Sequence, residues 1–247
     1  MSKPLSSKVA LVTGGARGVG KEIVQRLARD GADIAFVYGT SADSAKALAD
    51  ELEAMGVKAK GYQADLNEPG SLPAVVLQVL KEFGQIDILV NCAGVFSVAG
   101  IEDASLEEYE RVMRINLDSV FYLTAEAVKA MQPGSRVISI SSTLADRAGG
   151  PGLSIYNASK SGVSSLTRSW AADLGAKGIL VNAVQAGHIN TDMNPDTTEY
   201  AAEMRTRIPL GRYAEANEVA NVVAFLAGPD ATYITGATIN VDGGLNA

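Results

Sequence analysis

A tyrosine and a lysine stand four residues apart where a helix is predicted to begin. Tyr156 and Lys160 open and close the run Tyr-Asn-Ala-Ser-Lys, and this spacing puts both side chains on one helix face. The pKa of a phenol is about 10 in water, and a neighbouring ammonium stabilises the phenolate and lowers that pKa. The pair therefore predicts Tyr156 as a general acid or base. Because such pairs also arise by chance in helices, the prediction depends on the motifs around them.

A glycine-rich stretch after the first apolar run points to a bound phosphate group. Gly14, Gly18 and Gly20 lie within Thr-Gly-Gly-Ala-Arg-Gly-Val-Gly, between a predicted strand and a predicted helix. Glycine lets the backbone approach a pyrophosphate closely, and a helix N-terminus offers unpaired N–H groups and a favourable dipole. An ordinary glycine-rich turn between a strand and a helix has the same composition. The position of this stretch favours a dinucleotide cofactor.

The residues further along the chain favour NADP(H) over NAD(H). An NAD site commonly has an acidic residue about 20 positions on, where it binds a ribose 2′-hydroxyl. Counting from Gly18 leads to Tyr38 and then Gly-Thr-Ser, without a carboxylate. Arg17 supplies a cation, and Thr40 and Ser41 supply hydroxyl and N–H groups, near the expected place of a 2′-phosphate. The alternative is that Arg17 is a solvated surface charge.

Short apolar runs alternate with helical patterns along the whole chain. This alternation is typical of βαβ units in a parallel sheet, so we expect an α/β fold. Because no linker, low-complexity tract or charge block interrupts the chain, we expect one domain over residues 1–247. The predicted strands are residues 9–12, 34–38, 58–63, 86–90, 136–140, 179–184 and 238–241. The predicted helices begin at residue 19 and then span about 42–55, 69–83, 105–131, 156–175 and 215–227.

Three segments, residues 92–104, 143–155 and 185–213, lack either pattern. Each follows a predicted strand, and the loops after parallel strands form the ligand site in an open α/β sheet. We therefore expect residues 143–155 and 185–213 to contain the substrate loops.

Composition excludes several classes of function. The chain has 21 Lys and Arg residues against 28 Asp and Glu residues, which gives a net charge of −7. This is the wrong sign for a protein that binds duplex phosphates, so we expect no nucleic-acid partner. A single cysteine, Cys92, and a single histidine, His188, exclude an internal disulfide and a Cys-based zinc site. We expect no metal.

The apolar runs are short. No stretch approaches the roughly 18 apolar residues of a membrane helix, and the first apolar run has four residues, too few for the core of a signal peptide. We expect a cytoplasmic protein without a membrane partner.

Eight short motifs follow one another in the order typical of one enzyme family. They are Thr13 to Gly20, Asp65-Leu66, Asn91-Cys92-Ala93-Gly94, Ile115-Asn116-Leu117, Ile140-Ser141-Ser142, Tyr156 to Lys160, Thr191-Asp192-Met193 and Asp242-Gly243-Gly244. On these motifs the chain resembles the short-chain dehydrogenase/reductase family along essentially its full length, and within it the carbonyl reductases that are like 3-oxoacyl-acyl-carrier-protein reductase. The resemblance implies a Rossmann-type, doubly wound sheet of seven parallel strands. It also implies nicotinamide-dependent hydride transfer at a carbonyl or a secondary alcohol. Together with the NADP(H) prediction above, this leads us to expect NADPH-dependent reduction of a ketone to a secondary alcohol.

The resemblance assigns roles to four polar residues. Tyr156 would protonate the carbonyl oxygen and Ser142 would hydrogen-bond it. Lys160 would lower the pKa of Tyr156 and bind the nicotinamide ribose. Asn116 would hold a water molecule in a proton relay. Ser142 precedes Tyr156 by 14 residues, where the family more often has 13, so Ser141 is the alternative serine.

The resemblance also implies the contacts of the cofactor and the substrate. Asp65 would meet the adenine and Thr191 the carboxamide. The predicted cofactor residues are Gly14, Arg17, Gly18, Val19, Gly20, Tyr38, Thr40, Ser41, Asp65, Leu66, Asn91, Ala93, Gly94, Tyr156, Lys160, Gly187, Ile189 and Thr191. The predicted substrate contacts, in a largely apolar pocket, are Leu144, Leu153, His188 and Met193.

Two residues depart from the family pattern. Cys92 stands where an asparagine is usual, and we expect a packed small side chain there rather than a nucleophile. His188 stands where relatives usually have an apolar residue, and we expect a neutral imidazole in the pocket wall.

The acidic charge bears on the substrate. Many family members reduce 3-oxoacyl groups on an acidic carrier protein, and a net charge of −7 opposes such docking. Lys129, Arg136 and Lys177 could form a small basic patch, yet we expect a free ketone substrate. The resemblance further implies a homotetramer, or a dimer, with subunits paired through the helices near 105–131 and 156–175.

Two other functions stay open. One is an NAD-dependent alcohol dehydrogenase, which a comparison of NADP and NAD binding would separate from the first. The other is a nucleotide-binding regulatory protein that kept the fold and lost turnover, and persistent inactivity on ketones and alcohols would favour it.

Overall fold

The computed structural model describes residues 3–247, and residues 1 and 2 of the predicted domain lie outside the described part. The strands are β1 Val9–Thr13, β2 Asp33–Tyr38, β3 Ala59–Gln63, β4 Ile88–Asn91, β5 Arg136–Ser142, β6 Leu180–Ala186, β7 Ile189–Asn190, β8 Ala214–Glu215 and β9 Thr238–Val241. Seven of them form one parallel sheet in the order β3-β2-β1-β4-β5-β6-β9. Strands β7 and β8 form a separate pair. The strand order reverses next to β1, and the predicted Rossmann-type doubly wound fold is confirmed.

Helices cover both faces of the sheet. They are α1 Gly18–Arg29, α2 Ala42–Ala54, α3 Leu72–Phe83, α4 Leu106–Met113, α5 Ser119–Ala127, α6 Ser154–Gly175, α7 Glu199–Arg207 and α8 Ala216–Ala227. Strand β1 shows how the sequence fills both faces. Ala10 and Val12 pack on the side of α1 and α8, while Leu11 packs on the side of α3, α5 and α6. Successive strand residues point to opposite faces, so a strand covered on both sides must be apolar throughout.

The helical stretch predicted over residues 105–131 is helical from Leu106 to Ala127, and a π-helical turn, Arg114–Asp118, divides it into α4 and α5. Asn116 lies in this turn, where its amide donates to the Val95 carbonyl at 2.9 Å and accepts from the Val95 N–H at 2.8 Å. Periodicity cannot detect this turn, because the interrupting bonds come from a distant segment of the chain.

The segment 185–213 is more regular than its sequence predicts. It contains β7 and helix α7, which buries only Ala201 and Met204 on its inner side. These two residues pack with Ile208, Tyr213 and the partly buried Leu245 in a small core of their own. A mostly polar helix with so narrow an apolar stripe gives little periodic signal.

Across residues 3–247 no helix has the combined length and apolar character needed to cross a bilayer.

Candidate active site

One large cavity opens at the carboxyl ends of the sheet strands. Its volume is about 610 Å³, within the range of roughly 300–1,000 Å³ found for ligand sites. It begins at the loop between β1 and α1, passes the ends of β4 and β5, and reaches α7 and the C-terminal segment. The carboxyl edge beside the strand-order reversal is where an open α/β sheet binds nucleotides.

The glycine-rich loop is shaped for close approach of a ligand. Gly14 and Gly18 adopt φ angles of +68° and +51°, which residues with a Cβ atom rarely adopt. A Cβ atom at Gly20 would overlap the Gly14 carbonyl oxygen. Helix α1 begins here, and its N-cap residue Arg17 makes no side-chain capping bond. The first N–H groups of α1 are therefore available to an anion.

The end of the cavity beside the loop between β1 and α1 holds the predicted cation and predicted cofactor contacts. Arg17, Tyr38, Asp65 and Leu66 line it, and no ion pair formed between residues 3 and 247 includes Arg17. The cavity-lining residues among the predicted cofactor set also include Gly14, Gly18, Val19, Gly20, Ala93, Gly94, Tyr156, Lys160, Gly187, Ile189 and Thr191.

Three residues of the predicted cofactor set lie away from the cavity wall. Thr40 and Ser41 are exposed at the N-terminus of α2, beyond the wall. Asn91 is buried beneath the wall, where its amide group donates to Thr124 Oγ1 at 3.1 Å and to Ser139 Oγ at 3.3 Å. The Asn91 amide nitrogen therefore holds β4 against its neighbours, while its Oδ1 atom is buried without a hydrogen-bond partner.

The tyrosine, the serine and the lysine come together from two elements. Ser142 ends β5, and its hydroxyl accepts from the Leu144 N–H at 3.2 Å and lies near enough to the Tyr156 phenol, in the first turns of α6, to lower the pKa of that phenol. One helical turn later, the Lys160 Nζ atom lies 5.8 Å from the Tyr156 ring centroid and donates to the Ile140 carbonyl at 2.9 Å. All three side chains line the cavity.

The predicted lowering of the Tyr156 pKa is wrong. Burial raises the pKa of Tyr156, and the hydrogen bond with Ser142 opposes this only in part. The free-energy cost of removing the phenolate from water exceeds the stabilisation that its polar neighbours provide. Burial also lowers the pKa of Lys160, to about 8. Tyr156 is thus a protonated donor at neutral pH.

The two candidate serines face different surroundings. The Ser141 hydroxyl donates to the Lys160 carbonyl at 3.0 Å and lies 3.1 Å from Ser164 Oγ. The Ser142 hydroxyl faces Tyr156 instead. Since successive strand residues point to opposite sides, only one of the two hydroxyls can serve the phenol. Ser142 is the serine beside the candidate acid, and Ser141 fastens α6 to β5.

Asn116 lies behind the cavity rather than on its wall. It is fully buried, and its amide also donates to Ser159 Oγ at 3.1 Å. Ser159 in turn donates to the Tyr156 carbonyl at 2.7 Å. With the two bonds to Val95, these contacts connect the π-helical turn to the start of α6 and to the strand that precedes Val95.

The predicted substrate residues share the far end of the cavity. Leu144, Leu153, His188 and Met193 all line it. The His188 ring stacks on Tyr213 with centroids 5.0 Å apart. Burial, assisted by the nearby Arg147 charge, lowers the pKa of His188, so its imidazole is neutral at pH 7.

Several lining residues of this end were missed by sequence reasoning. They are Phe96, Arg147, Asn194, Tyr200, Met204, Arg207 and Leu245. The Phe96 ring meets the Tyr156 ring edge-on with centroids 4.9 Å apart. Phe96 and Arg147 belong to segments that were already expected at the ligand site. Their aromatic and cationic side chains could therefore have been predicted as ligand contacts from the sequence. Leu245 gave none, because the C-terminal segment reaches the cavity only through the fold.

Cys92 and the expected basic patch are also located by the structure. Cys92 packs against the α1 side of the core, and burial raises the pKa of its thiol to about 12.

Arg136 is buried at the start of β5 with 7% of its surface exposed, and Lys129 is paired with Glu126. The patch of Lys129, Arg136 and Lys177 is therefore wrong as a docking surface, because a buried guanidinium cannot contact a partner.

In the part of the chain from residue 3 to residue 247, no three His, Cys, Asp or Glu side chains gather closely enough to hold a metal ion. The cavity lining includes the hydroxyls of Ser142 and Tyr156 and the cations Arg17 and Lys160, besides the carboxylates of Asp65 and Asp192, and hydroxyls and cations are donors suited to a phosphate-bearing organic cofactor.

The chain is similar to known proteins over nearly its whole length. Residues 14–246 match a family model described as Enoyl-(Acyl carrier protein) reductase. The 3-oxoacyl-[acyl-carrier-protein] reductase of Staphylococcus aureus is 38% identical over 242 residues, which cover 97% of this chain and 98% of the relative.

Two solved structures are similar in both fold and sequence. A blue fluorescent protein from a metagenomic library, in complex with NADPH, has a TM-score of 0.97 and 47% identity, with 99% of this chain and 100% of that chain covered. A short-chain dehydrogenase from Burkholderia cenocepacia, in complex with NADP, has a TM-score of 0.97 and 40% identity, with the same coverage.

Proposed function

The chain belongs to the short-chain dehydrogenase/reductase family, and on that premise we propose that it reduces a ketone to a secondary alcohol with NADPH, using Tyr156 as the general acid. The observation that carries the proposal is the meeting of Ser142, Tyr156 and Lys160 on the wall of one cavity with the glycine-rich loop. Phosphate recognition and proton donation are thereby combined in a single site.

The residues at the cofactor end fit NADP(H). Gly18 leaves open space where a side chain would point, with Thr191 as its nearest contact at 3.8 Å. A Cβ atom at Gly94 would lie 3.3 Å from Asn116 Oδ1 and 3.4 Å from Lys160 Nζ, so the bare backbone keeps the cleft open there. Arg17 offers an unpaired guanidinium where a 2′-phosphate would lie, and similar proteins hold NADPH or NADP. When bound, this cofactor supplies the hydride.

The chain's own residues account for the proton and for the orientation of the carbonyl. Tyr156 donates its phenol proton to the carbonyl oxygen as the carbon–hydrogen bond forms, and it regains a proton from solvent afterwards. Ser142 hydrogen-bonds the same oxygen and lowers the cost of the charge that develops on it. Lys160 carries a positive charge below pH 8 and stabilises the phenolate left after proton transfer.

Replacement of Tyr156 tests the proposal. Tyr156→Phe keeps the ring and its contact with Phe96 but removes the donor. We expect reduction of an activated ketone to fall by about 10²–10⁴-fold, while the Kd of NADPH changes little. Stopped-flow oxidation of NADPH and fluorescence titration measure the two quantities. Unchanged turnover would refute Tyr156 as the acid.

A panel of ketones and alcohols, each assayed with both cofactors, separates the alternative functions. With ketones we expect NADPH to be oxidised faster than NADH. Faster oxidation of alcohols with NAD than with NADP would indicate an NAD-dependent alcohol dehydrogenase. Tight NADPH binding without turnover of any ketone or alcohol would indicate a regulatory nucleotide-binding protein.

The form of the substrate is the finer part of the proposal. We infer a free ketone rather than a carrier-bound 3-oxoacyl group, although the Staphylococcus aureus relative is named for the latter. The net charge of −7 opposes an acidic carrier, and the buried Arg136 removes one cation of the only patch that the sequence suggested. Comparing a carrier-bound 3-oxoacyl thioester with a small 3-oxoacyl thioester measures this. A strong preference for the carrier-bound form would contradict the inference.

Assembly and location complete the proposal. We infer a homotetramer in the cytoplasm, with contacts between subunits through α4, α5 and α6. Aromatic side chains on α4 and α5 support this, since Tyr109, Phe121 and Tyr122 are each about 45% exposed and Phe121 lies against Trp170 of α6. Sedimentation velocity distinguishes the tetramer from a dimer.

A further inference from the structure

The substrate end of the cavity carries a guanidinium that the proposed chemistry does not use. Arg147 lines the same cavity as Tyr156 and is partly buried. Its Nη1 atom donates to the Leu245 carbonyl at 2.7 Å, and none of the ion pairs within residues 3–247 includes it. Arg207, the other arginine at this end, is paired with Glu203. Among the described residues, Arg147 is therefore a cation of this end with no carboxylate at ion-pair distance.

The backbone of Arg147 is fixed relative to the candidate acid. Asn157, the residue after Tyr156, donates from Nδ2 to the Arg147 carbonyl at 3.2 Å and to the Ala148 carbonyl at 3.0 Å. The loop after β5 is thus fastened to the first turn of α6. A side chain that is anchored before a ligand arrives loses less conformational entropy when it binds.

The single bond to Leu245 leaves most of the guanidinium donors free. A guanidinium has five N–H donors in a planar fork that matches a carboxylate. A partly buried cation without an acidic partner is costly for the fold. Its charge also reaches His188, whose pKa it helps to lower. Arg147 thus supplies a positive charge to this end of the cavity, in a chain whose net charge is −7.

We propose that Arg147 binds a carboxylate of the substrate, so that the preferred substrates are oxo acids whose ketone reaches Tyr156 while the acid group reaches Arg147. The proposal rests on ketone reduction as the function and adds the substrate class. Arg147 and Tyr156 stand at the two ends of the anchored loop, residues 147–156, and both line the same cavity; the proposal requires one small molecule to contact both.

Matched acids and esters test the proposal in the full-length enzyme. The substrates are 2-oxo-, 3-oxo- and 4-oxopentanoate, each with its methyl ester, at saturating NADPH. We expect one of the acids to be preferred over its ester. Arg147→Gln keeps a donor for Leu245 but removes the charge, and it should raise the KM of that acid by about tenfold or more with little change for the ester. Arg147→Lys should restore part of the preference.

A binding measurement separates failure of this proposal from failure of the proposed function. Pentanoate has no ketone, and we expect it to raise the Tm of the NADPH-loaded wild type but not of Arg147→Gln, with methyl pentanoate as the control. Equal losses for acid and ester, together with no Tm shift by pentanoate, would overturn the carboxylate site and leave Arg147 as a fastener of the C-terminal segment. If no ketone is reduced, ketone reduction fails as the function and the pentanoate shift still decides the site.

Discussion

Burial sets the protonation of Tyr156 and Lys160 before any ligand is present. It raises the pKa of the phenol and lowers the pKa of the ammonium to about 8. A phenol that keeps its proton at neutral pH suits the donor role in reduction, whereas oxidation would require the phenolate. The residue types indicated an acid or base, and the raised pKa of Tyr156 favours the acid.

The adjacent serines give a prediction at the scale of single residues. Ser142→Ala removes the hydroxyl beside Tyr156, and we expect ketone reduction to fall by about 10²-fold or more. Ser141→Ala removes bonds to Lys160 and Ser164, so it should cost about 1 kcal/mol of unfolding free energy with a smaller loss of turnover. Urea unfolding and steady-state kinetics on both variants measure the contrast. A larger kinetic loss in Ser141→Ala would reverse the assignment.

Lys160 gives a second prediction, in the pH dependence of stability. The folded protein releases the Lys160 proton near pH 8, while an unfolded lysine keeps it to about pH 10.4. Between these values the unfolded state binds more protons, so stability from this group rises with pH. Relative to Lys160→Met, which cannot titrate, the wild type should gain about 3 kcal/mol from pH 7.5 to 10.5. Urea unfolding at several pH values checks this, and a pH-independent difference would contradict it.

At the scale of elements, the loop between β1 and α1 holds its shape through its glycines. Gly14 and Gly18 have left-handed φ angles, and Gly20 is closed in by the Gly14 carbonyl. The loop in turn fixes where the uncapped N-terminus of α1 points. Its sequence predicted this function, because glycine is the residue that such backbone positions require.

A glycine substitution tests this element. Gly20→Ala would force its Cβ atom onto backbone rather than onto a flexible side chain, so the loop must shift. We expect NADPH affinity to weaken by about tenfold or more, and stability to fall by about 1–3 kcal/mol. Gly175→Ala, at the end of α6 with open space at its Cβ position, is the matched control and should leave affinity unchanged. Fluorescence titration and thermal unfolding measure both variants, and equal affinities would contradict the role of the loop.

The elements around Asn116 and α7 show where pattern reasoning failed. Asn116 lies in a π-helical turn and is bonded to Val95, 21 positions earlier. Helix α7 is held by Tyr213 and Leu245 from later segments. Both features depend on contacts that are distant in sequence, whereas periodicity reports which face of a local segment is apolar.

For the whole molecule, cofactor binding should appear as a gain in thermal stability. A ligand that binds only the folded state, at a concentration of about 100 times its Kd, stabilises that state by about 2.7 kcal/mol. For a chain of this size, that gain raises the Tm by about 5–10 °C. We expect NADPH to give a larger shift than NADH at equal concentration. Arg17→Ala should reduce the NADPH shift to that of NADH, because the 2′-phosphate loses its charged partner. Differential scanning fluorimetry checks this, and an unchanged preference would show that Arg17 has no role in it.

The sequence by itself determined the sheet, the cofactor loop and the reactive pair. Apolar runs specify buried strands, glycines specify a tight loop, and a spacing of four puts Tyr156 and Lys160 together, all within short segments. Only the tertiary structure decided that Ser142 rather than Ser141 meets the phenol, and that Asn91 and Asn116 lie behind the cavity. The direction of the Tyr156 pKa and the unpaired charge of Arg147 were also decided there. Burial and the partners of a polar group come from residues far apart in the chain, and no local pattern contains them.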